Sequence, residues 1–189
     1  MRDRFPFPIG DSLQEKGSGP GTVQVLPIRR FPDPRLKRPA RPVERVDVAV
    51  GRLIASLIAT MRRHPRCVGL AAPQVGSGLR IAVMDATGHP KAAASRGLLV
   101  LVNPRLIAAE GAVVQREGCL SLPDFTANVR RAARVRLAAW DQRGVSYELW
   151  LDGFEAIIAQ HEVDHLDGTL FLDRVADVKT DVFRRQTYR

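Results

Sequence analysis

The sequence predicts an α+β fold in a single domain. Three observations support this: apolar residues at helical spacing between positions 47 and 63, short β-like segments between 80 and 151, and a second helical segment at 154–166. Helices and strands do not alternate regularly along the chain, which favours α+β over a βαβ repeat. A length of 189 residues suits one domain with an added tail.

The N-terminal residues are predicted to lie outside this domain. Residues 1–21 are rich in Pro, Gly, Ser and charge, which is typical of a flexible extension. The domain is predicted to span 22–176, opening with a short strand at 22–28 and a proline-punctuated loop that excludes regular helix. Residues 177–189 are expected to form a short basic C-terminal tail.

The two helices have clear sequence signals. In the first, at 47–63, apolar residues recur at i, i+3 and i+4, and Pro65 follows its basic end. The second, at about 154–166, lies between Asp152-Gly153 and Asp167-Gly168, and the latter pair is a good stop. The predicted strands between them are 80–84, 98–102, 112–116, 129–139 and 145–151.

Composition narrows the class of protein. The net charge of +9 favours loose contact with an acidic partner, but no aromatic residues interleave with the Arg clusters, so sequence-specific nucleic-acid binding is not expected. Two cysteines are too few for a disulfide framework that would stabilise a chain of this length. Without an apolar run of membrane length or a signal-peptide pattern, we expect no membrane association and a cytoplasmic location.

The motif His161-Glu162-Val163-Asp164-His165 indicates a metal site. Two histidines four residues apart lie on one face of a helix and can bind the same ion. Glu162 follows the first histidine, where it can act as general base toward an activated water. Phe154, Ile157, Ile158 and the two histidines form one stripe, so the imidazoles should point into the protein.

The motif supplies two ligands, and the third has several candidates. The extended metalloprotease pattern would place a histidine at position 171, which is Phe171, and no Glu follows the motif. Carboxylate ligands downstream would come from Asp173, Asp177 or Asp181. An upstream thiolate would come from Cys119, which follows a glycine at the end of a predicted strand, although a buried cysteine is more often a small apolar core residue.

Two further segments favour the upstream ligand. Gly69-Leu70-Ala71-Ala72-Pro73-Gln74-Val75-Gly76 combines tiny residues with one long amide, and Glu117-Gly118-Cys119-Leu120-Ser121-Leu122-Pro123 contains the cysteine. Together with the nine-residue segment QHEVDHLDG at 160–168, and in this order, they resemble the three signature motifs of the peptide deformylase family. The resemblance covers roughly residues 22–175 and implies antiparallel or mixed sheets packed around a central HExxH helix.

The resemblance implies a specific activity. A family member removes the N-formyl group from the formyl-methionyl end of newly made polypeptides by metal-activated water, releasing formate. It implies one divalent metal ion held by Cys119, His161 and His165, with Fe²⁺ in the active form and Zn²⁺, Ni²⁺ or Co²⁺ able to replace it. It makes nascent formyl-methionyl polypeptides the partners. Many bacterial relatives have a longer C-terminal helix that docks on the ribosome, whereas 177–189 offers at most a short basic version. Weak ribosome contact is therefore left open and is not implied by the resemblance.

The resemblance also assigns roles at the site. Glu162 is the general base, while the Gln74 amide and the backbone N–H of Leu120 stabilise the oxyanion. The Gly69 backbone pairs with the peptide, and the methionine pocket is assigned to Val68, Phe154, Ile157 and Ile158. One position departs from the family's first motif: Cys67 stands where a glycine is common, which concerns substrate range more than metal binding.

Two other functions remain open from the residues alone. A metallopeptidase of the HExxH kind would retain its metal without Cys119. A non-catalytic basic protein that binds RNA or the ribosome would keep that binding without Glu162.

Overall fold

Two antiparallel sheets and two long helices form the core of the computed structural model, which describes residues 23–185. The helices are α1 (Val48–Arg63), α2 (Gly153–Leu166) and the short α3 (Val178–Asp181). The strands are β1 (Gly69–Ala71), β2 (Ile81–Met84), β3 (Leu99–Glu110), β4 (Val113–Cys119), β5 (Leu122–Arg131), β6 (Arg134–Trp140), β7 (Ser146–Asp152) and β8 (Val182–Arg184). The predicted α+β class is confirmed.

Helix α1 begins and ends where its sequence predicts. The Asp47 side chain caps it by accepting a hydrogen bond from the backbone N–H of Val50 at 2.9 Å, which satisfies one of the free donors of the first turn. Its buried face includes Ile54, Leu57 and Met61, spaced by three or four residues. This face packs against one side of the larger sheet.

The larger sheet has five strands in the order β1-β2-β3-β6-β7, and the smaller has three in the order β4-β5-β8. Strand β2 is buried along its whole length because it is covered on both faces. Ile81 and Val83 lie in the cluster under α1, whereas Ala82 and Met84 lie in the cluster under α2. The larger sheet is therefore a layer between the two helices.

Helix α2 is buried on nearly all sides, so it is a central helix rather than the amphipathic one that its apolar stripe predicts. Its polar side chains are buried with partners. Glu155 accepts a hydrogen bond from the backbone N–H of Arg96 at 2.8 Å, and the Gln160 amide bonds both backbone groups of Ala132 at 3.0 Å. Each bond offsets the desolvation of a polar group.

The strand predicted at 22–28 is wrong for the residues that the structure describes, 23–28. Their backbone is irregular and lies along α1 instead of along a strand. The N–H of Gln24 bonds Ser56 Oγ at 3.3 Å, and the N–H of Leu26 bonds Thr60 Oγ1 at 2.9 Å. Side chains of the helix thus take the place of a neighbouring strand.

The strand predicted at 129–139 is divided into β5 and β6, because the chain passes from the smaller sheet to the larger one at Ala132 and Ala133. Gln160 and Gly153 satisfy the backbone groups at this crossing. Strand β3 is longer than predicted, with a register shift between Val102 and Arg105 that accommodates Pro104.

Within the tail expected at 177–189, residues 178–184 form a short helix and a strand. Strand β8 pairs with β5 through Thr126 and Phe183, and α3 precedes it. The extension expected at 1–21 lies outside the described residues. Among the helices of residues 23–185, none combines the length and the apolar character needed to cross a membrane.

Candidate metal centre and active site

The three predicted ligands come together although they belong to different elements. Cys119 ends β4 at a register shift against β5, while His161 and His165 lie one turn apart on α2. One ligand atom from each residue lies within 4.8 Å of the others, and Cys119 Sγ is 3.2 Å from His165 Nε2. Ligand atoms on a single ion are at most about 4.4 Å apart, so small side-chain shifts would bring the three onto one ion.

The charges at this cluster suit a cation. Burial alone would raise the pKa of the Cys119 thiol, but the His165 and His161 imidazoles hold it well below its usual value. A thiolate is the form that binds metal. One thiolate and two imidazoles leave an open position on a four-coordinate ion, which is the donor pattern of a catalytic site. The residues present therefore fit a divalent metal.

A buried ion-pair network orients His161, and the sequence analysis missed it. Glu117 Oε2 lies 2.8 Å from His161 Nδ1, which leaves Nε2 for the metal side. Arg131 donates to both Glu117 oxygens at 2.6 and 3.0 Å and to Asp164 at 2.6 Å, and Arg174 donates to Asp164 at 2.7 Å. Such contacts fix the ring of a ligating histidine.

The electrostatics of Glu117 agree with this positioning role. Burial would raise the pKa of its carboxyl, but hydrogen bonds from His161 and Arg131 lower that pKa to about 2. Glu117 thus stays ionised beside the ligand. In the sequence, the segment that contains Glu117 was noted only for Cys119. No sequence pattern indicated that Arg131 would pair with Glu117.

Glu162 lies at the same cluster in a dry environment. It is 3% exposed, and its Oε2 is buried with no hydrogen-bond partner among the described residues. Burial raises the pKa of Glu162 to about 7. A carboxyl group that titrates near neutrality can both accept and return a proton.

Gln74 reaches the cluster from the segment after β1. Its carbonyl oxygen accepts the N–H of Ala71 at 2.9 Å, which fixes the amide. Its Nε2 then points to Cys119 Sγ and to Ser121 Oγ, each at 3.3 Å. Leu120 lies in the turn between β4 and β5 and lines the same cavity.

A cavity of about 420 Å³ opens onto the cluster. Among its lining residues are Gly69 and the four assigned to the methionine pocket, namely Val68, Phe154, Ile157 and Ile158. A second groove, of about 660 Å³, is lined by Arg80, Trp140 and Tyr147 among others, and it contains none of the predicted site residues. The smaller cavity is therefore the candidate active site, because Cys119, His161 and Glu162 line it.

Cys67, which replaces a common glycine, also lines the cavity. Its Sγ donates to the carbonyl of Gly69 at 3.1 Å, and burial raises the pKa of this thiol to about 12. Cys67 is therefore a neutral thiol that engages the backbone of β1, the edge strand of the larger sheet.

Among the described residues, none of the downstream carboxylates belongs to the ligand cluster. Phe171 is buried and stacks beside His161, with ring centroids 6.3 Å apart. Asp173 accepts the N–H of Leu170, Asp177 caps α3, and Asp181 accepts a hydrogen bond from Asn128. Each downstream carboxylate has a local structural role.

Comparison with known proteins identifies the family. Residues 25–181 match the sequence model of a family described as polypeptide deformylase. The chain belongs to this family. Its members remove the N-formyl group from newly made polypeptides, and the chain is accordingly a hydrolase of this metal-dependent kind.

Relatives of similar length carry the same description. The chain is 42% identical over 164 residues to the peptide deformylase of Alkalilimnicola ehrlichii, covering 87% of this chain and 89% of that protein. It is 43% identical over 153 residues to that of Heliobacterium modesticaldum, covering 81% and 95%.

Solved structures of the family have the same fold. The peptide deformylase of Legionella pneumophila superposes with a TM-score of 0.75 at 38% identity, covering 82% of this chain and 88% of the other. A class I type b peptide deformylase from Acinetobacter baumannii with Met-Ala-Ser bound gives 0.76 at 34% identity, covering 82% and 100%.

Proposed function

We propose that Cys119, His161 and His165 hold one divalent metal ion, beside which the formyl group of an N-formyl-methionyl polypeptide is hydrolysed. The observation that supports this most strongly is the convergence of the three ligand atoms at the end of the cavity that Glu162 also lines. When bound there, the ion supplies a positive charge that lowers the pKa of a water molecule and polarises a carbonyl group.

Glu162 moves the protons. Its carboxylate accepts a proton from the attacking water and then gives it to the amine that leaves when the formyl C–N bond breaks. Its pKa of about 7, raised by burial, suits both transfers. Its position next to His161 in the helix keeps it close to the metal ligands throughout.

The oxyanion is stabilised by Gln74 and Leu120. The Gln74 amide is pre-oriented by its bond to Ala71, so donating to the negatively charged oxygen requires little reorganisation. The backbone N–H of Leu120, in the turn after Cys119, is the second donor. Both residues line the cavity, as do Cys119 and His161.

The substrate's methionine side chain occupies the apolar part of the cavity. The cavity lining includes Val68, Phe154, Ile157 and Ile158, and a flexible thioether packs well against such apolar side chains. The peptide backbone pairs with Gly69 on the edge strand β1, as an added strand would. The related deformylase from Acinetobacter baumannii was solved with a Met-Ala-Ser peptide bound, and this peptide also begins with methionine.

The metal is proposed to be Fe²⁺, with Zn²⁺, Ni²⁺ or Co²⁺ able to replace it. One thiolate and two imidazoles suit these ions better than Mg²⁺ or Ca²⁺. Protein purified without oxygen and loaded with Fe²⁺ should release formate from formyl-Met-Ala-Ser, and a chelator should abolish this activity. Formate release at the loaded rate by metal-free protein would contradict the proposal.

Replacing Gly69 by Ala should misplace the base. A Cβ at this position would collide with Glu162 Oε1, and a misplacement of about 1 Å can cost roughly 10²-fold in rate. We therefore expect a fall of that order in kcat at unchanged metal content. Formate release and metal analysis measure both quantities.

Gly51 offers a matched control for that variant. A Cβ there meets nothing within 4 Å, and the residue lies inside α1. Gly51→Ala should keep full activity and stabilise the helix by about 0.5–1 kcal/mol. Equal activity of the two variants would show that Gly69 does not control the position of Glu162.

We also place this activity in the cytoplasm, in weak contact with the ribosome. The substrate is a polypeptide newly made on ribosomes, and a net charge of +9 favours contact with an RNA-rich partner. Such contact should weaken as salt rises, which co-sedimentation with ribosomes measures.

A further inference from the structure

Four cationic side chains surround the opening of the active-site cavity. They are Arg66, Lys91, Arg116 and Arg185, and together we call them the basic rim. All four are exposed, and they come from four separate segments of the chain. Within residues 23–185 none of them forms an ion pair, so their charge is available to a ligand.

Two members of the rim are held in place by the smaller sheet. Arg116 on β4 bonds Asn128 Oδ1 at 3.0 Å, and its guanidinium lies 3.4 Å from the ring centroid of Phe183 on β8. Arg185 directly follows β8, and its N–H bonds Asp124 O at 2.8 Å. A Cβ added to Gly118 would collide with the Arg185 guanidinium, which therefore packs directly over the backbone beside Cys119.

The other two members, Arg66 and Lys91, come from the segments that precede β1 and follow β2. Lys91 Nζ donates to the carbonyl of Arg116 at 3.2 Å and lies 5.8 Å from the ring centroid of Phe154. Burial lowers the pKa of His89, and the charges of Lys91 and Arg66 lower it further. His89 in turn stacks on Phe154 with ring centroids 4.5 Å apart, and both residues line the cavity. The positive charges of Lys91 and Arg66 are therefore felt at the wall of the cavity.

The negative charges of the cavity do not neutralise the rim. Two carboxylates line it, Glu117 and Glu162. The first is bonded to Arg131 and His161, and the second is buried at the metal ligands. The opening therefore carries excess positive charge next to a low-dielectric pocket, an arrangement that attracts anionic groups.

We propose that the basic rim makes this deformylase select formyl-methionyl chains with Asp or Glu at the second and third positions. This rests on the proposed placement of the methionine in the cavity. With that side chain inside, the following residues leave through the opening, and each extended residue advances about 3.3–3.6 Å. The second and third side chains then pass the rim, where a carboxylate gains charge–charge attraction and a lysine meets repulsion.

The test compares formyl-Met-Glu-Glu, formyl-Met-Ala-Ser and formyl-Met-Lys-Lys. For the metal-loaded protein at low salt, kcat/KM should be about tenfold higher for the acidic than for the basic peptide, mainly through KM, and this ratio should shrink as salt rises. Arg185→Glu and Lys91→Glu should each lower the ratio. Arg52→Glu is the matched control, because Arg52 is exposed on α1 and does not line the cavity, and it should keep the wild-type ratio.

The outcomes separate this inference from the proposed function. No hydrolysis of formyl-Met-Ala-Ser would refute the deformylase site itself. Normal hydrolysis of that neutral peptide with equal kcat/KM for the charged pair would overturn the selection alone. If the rim variants weakened co-sedimentation with ribosomes and left the peptide ratio unchanged, the rim would be an RNA-facing surface, and the selection would again be overturned.

Discussion

Replacing Glu162 by Gln is expected to lower kcat for formyl-Met-Ala-Ser by about 10²–10⁴-fold, the range over which a positioned general base contributes to a rate. The amide keeps the size of the side chain but cannot accept the proton of the attacking water. Because Glu162 is not one of the three ligands, metal content should be unchanged. Steady-state formate release and metal analysis on the same sample measure both effects.

Glu155 provides the control on the same helix. It is also buried, but it bonds the backbone of Arg96 and does not line the cavity. Glu155→Gln should retain nearly wild-type activity, since the remaining carbonyl oxygen can still accept that bond. If Glu162→Gln were as active as Glu155→Gln with its metal intact, Glu162 would not be the base.

Replacing Arg131 by Met is expected to destabilise the protein by about 3–5 kcal/mol, because it removes the guanidinium that pairs with buried Glu117 and one of the two that pair with buried Asp164. The Arg131 side chain is 4% exposed and bridges Glu117 to Asp164. Urea unfolding of metal-loaded protein measures the change in the free energy of unfolding. Metal affinity should fall as well, since Glu117 orients His161.

Arg136, which forms an ion pair on the surface, provides the matched control for the Arg131 variant. It pairs with Glu148 at 2.6 Å, but both side chains are about half exposed, at 47% and 48%. Arg136→Met should therefore change the free energy of unfolding by less than about 1 kcal/mol. Similar losses for the two variants would show that burial of the Arg131 network contributes little.

The sequence predicts the fold where local patterns decide it. Asp47 and the apolar residues of α1 define that helix without help from distant contacts. The division between β5 and β6 could not be predicted, because it depends on Gln160 bonding Ala132 from 28 residues away. Strand β8 is three residues long, which is too short to show a period.

In the candidate site too, the sequence predicts local features and misses those that depend on distant contacts. The spacing of His161 and His165 is local, so one motif predicts that they face the same side of a helix. Cys119 and Gln74 could be added only through a resemblance between three motifs in order. Arg131 has no motif of its own, and its function depends on a buried carboxylate from β4 and another from α2, which only the tertiary structure reveals.

The distance along the chain between the ligands also bears on how the protein matures. Cys119 and His165 are 46 residues apart, and Gln74 and Cys119 are 45 apart, yet all three meet at one point. Closing such loops slows folding, because the entropy cost comes before the contacts form. A high-affinity ion site cannot exist on the growing chain until α2 has been synthesised and has docked. Acquisition of the metal would thus depend on contacts between segments that lie far apart in the chain.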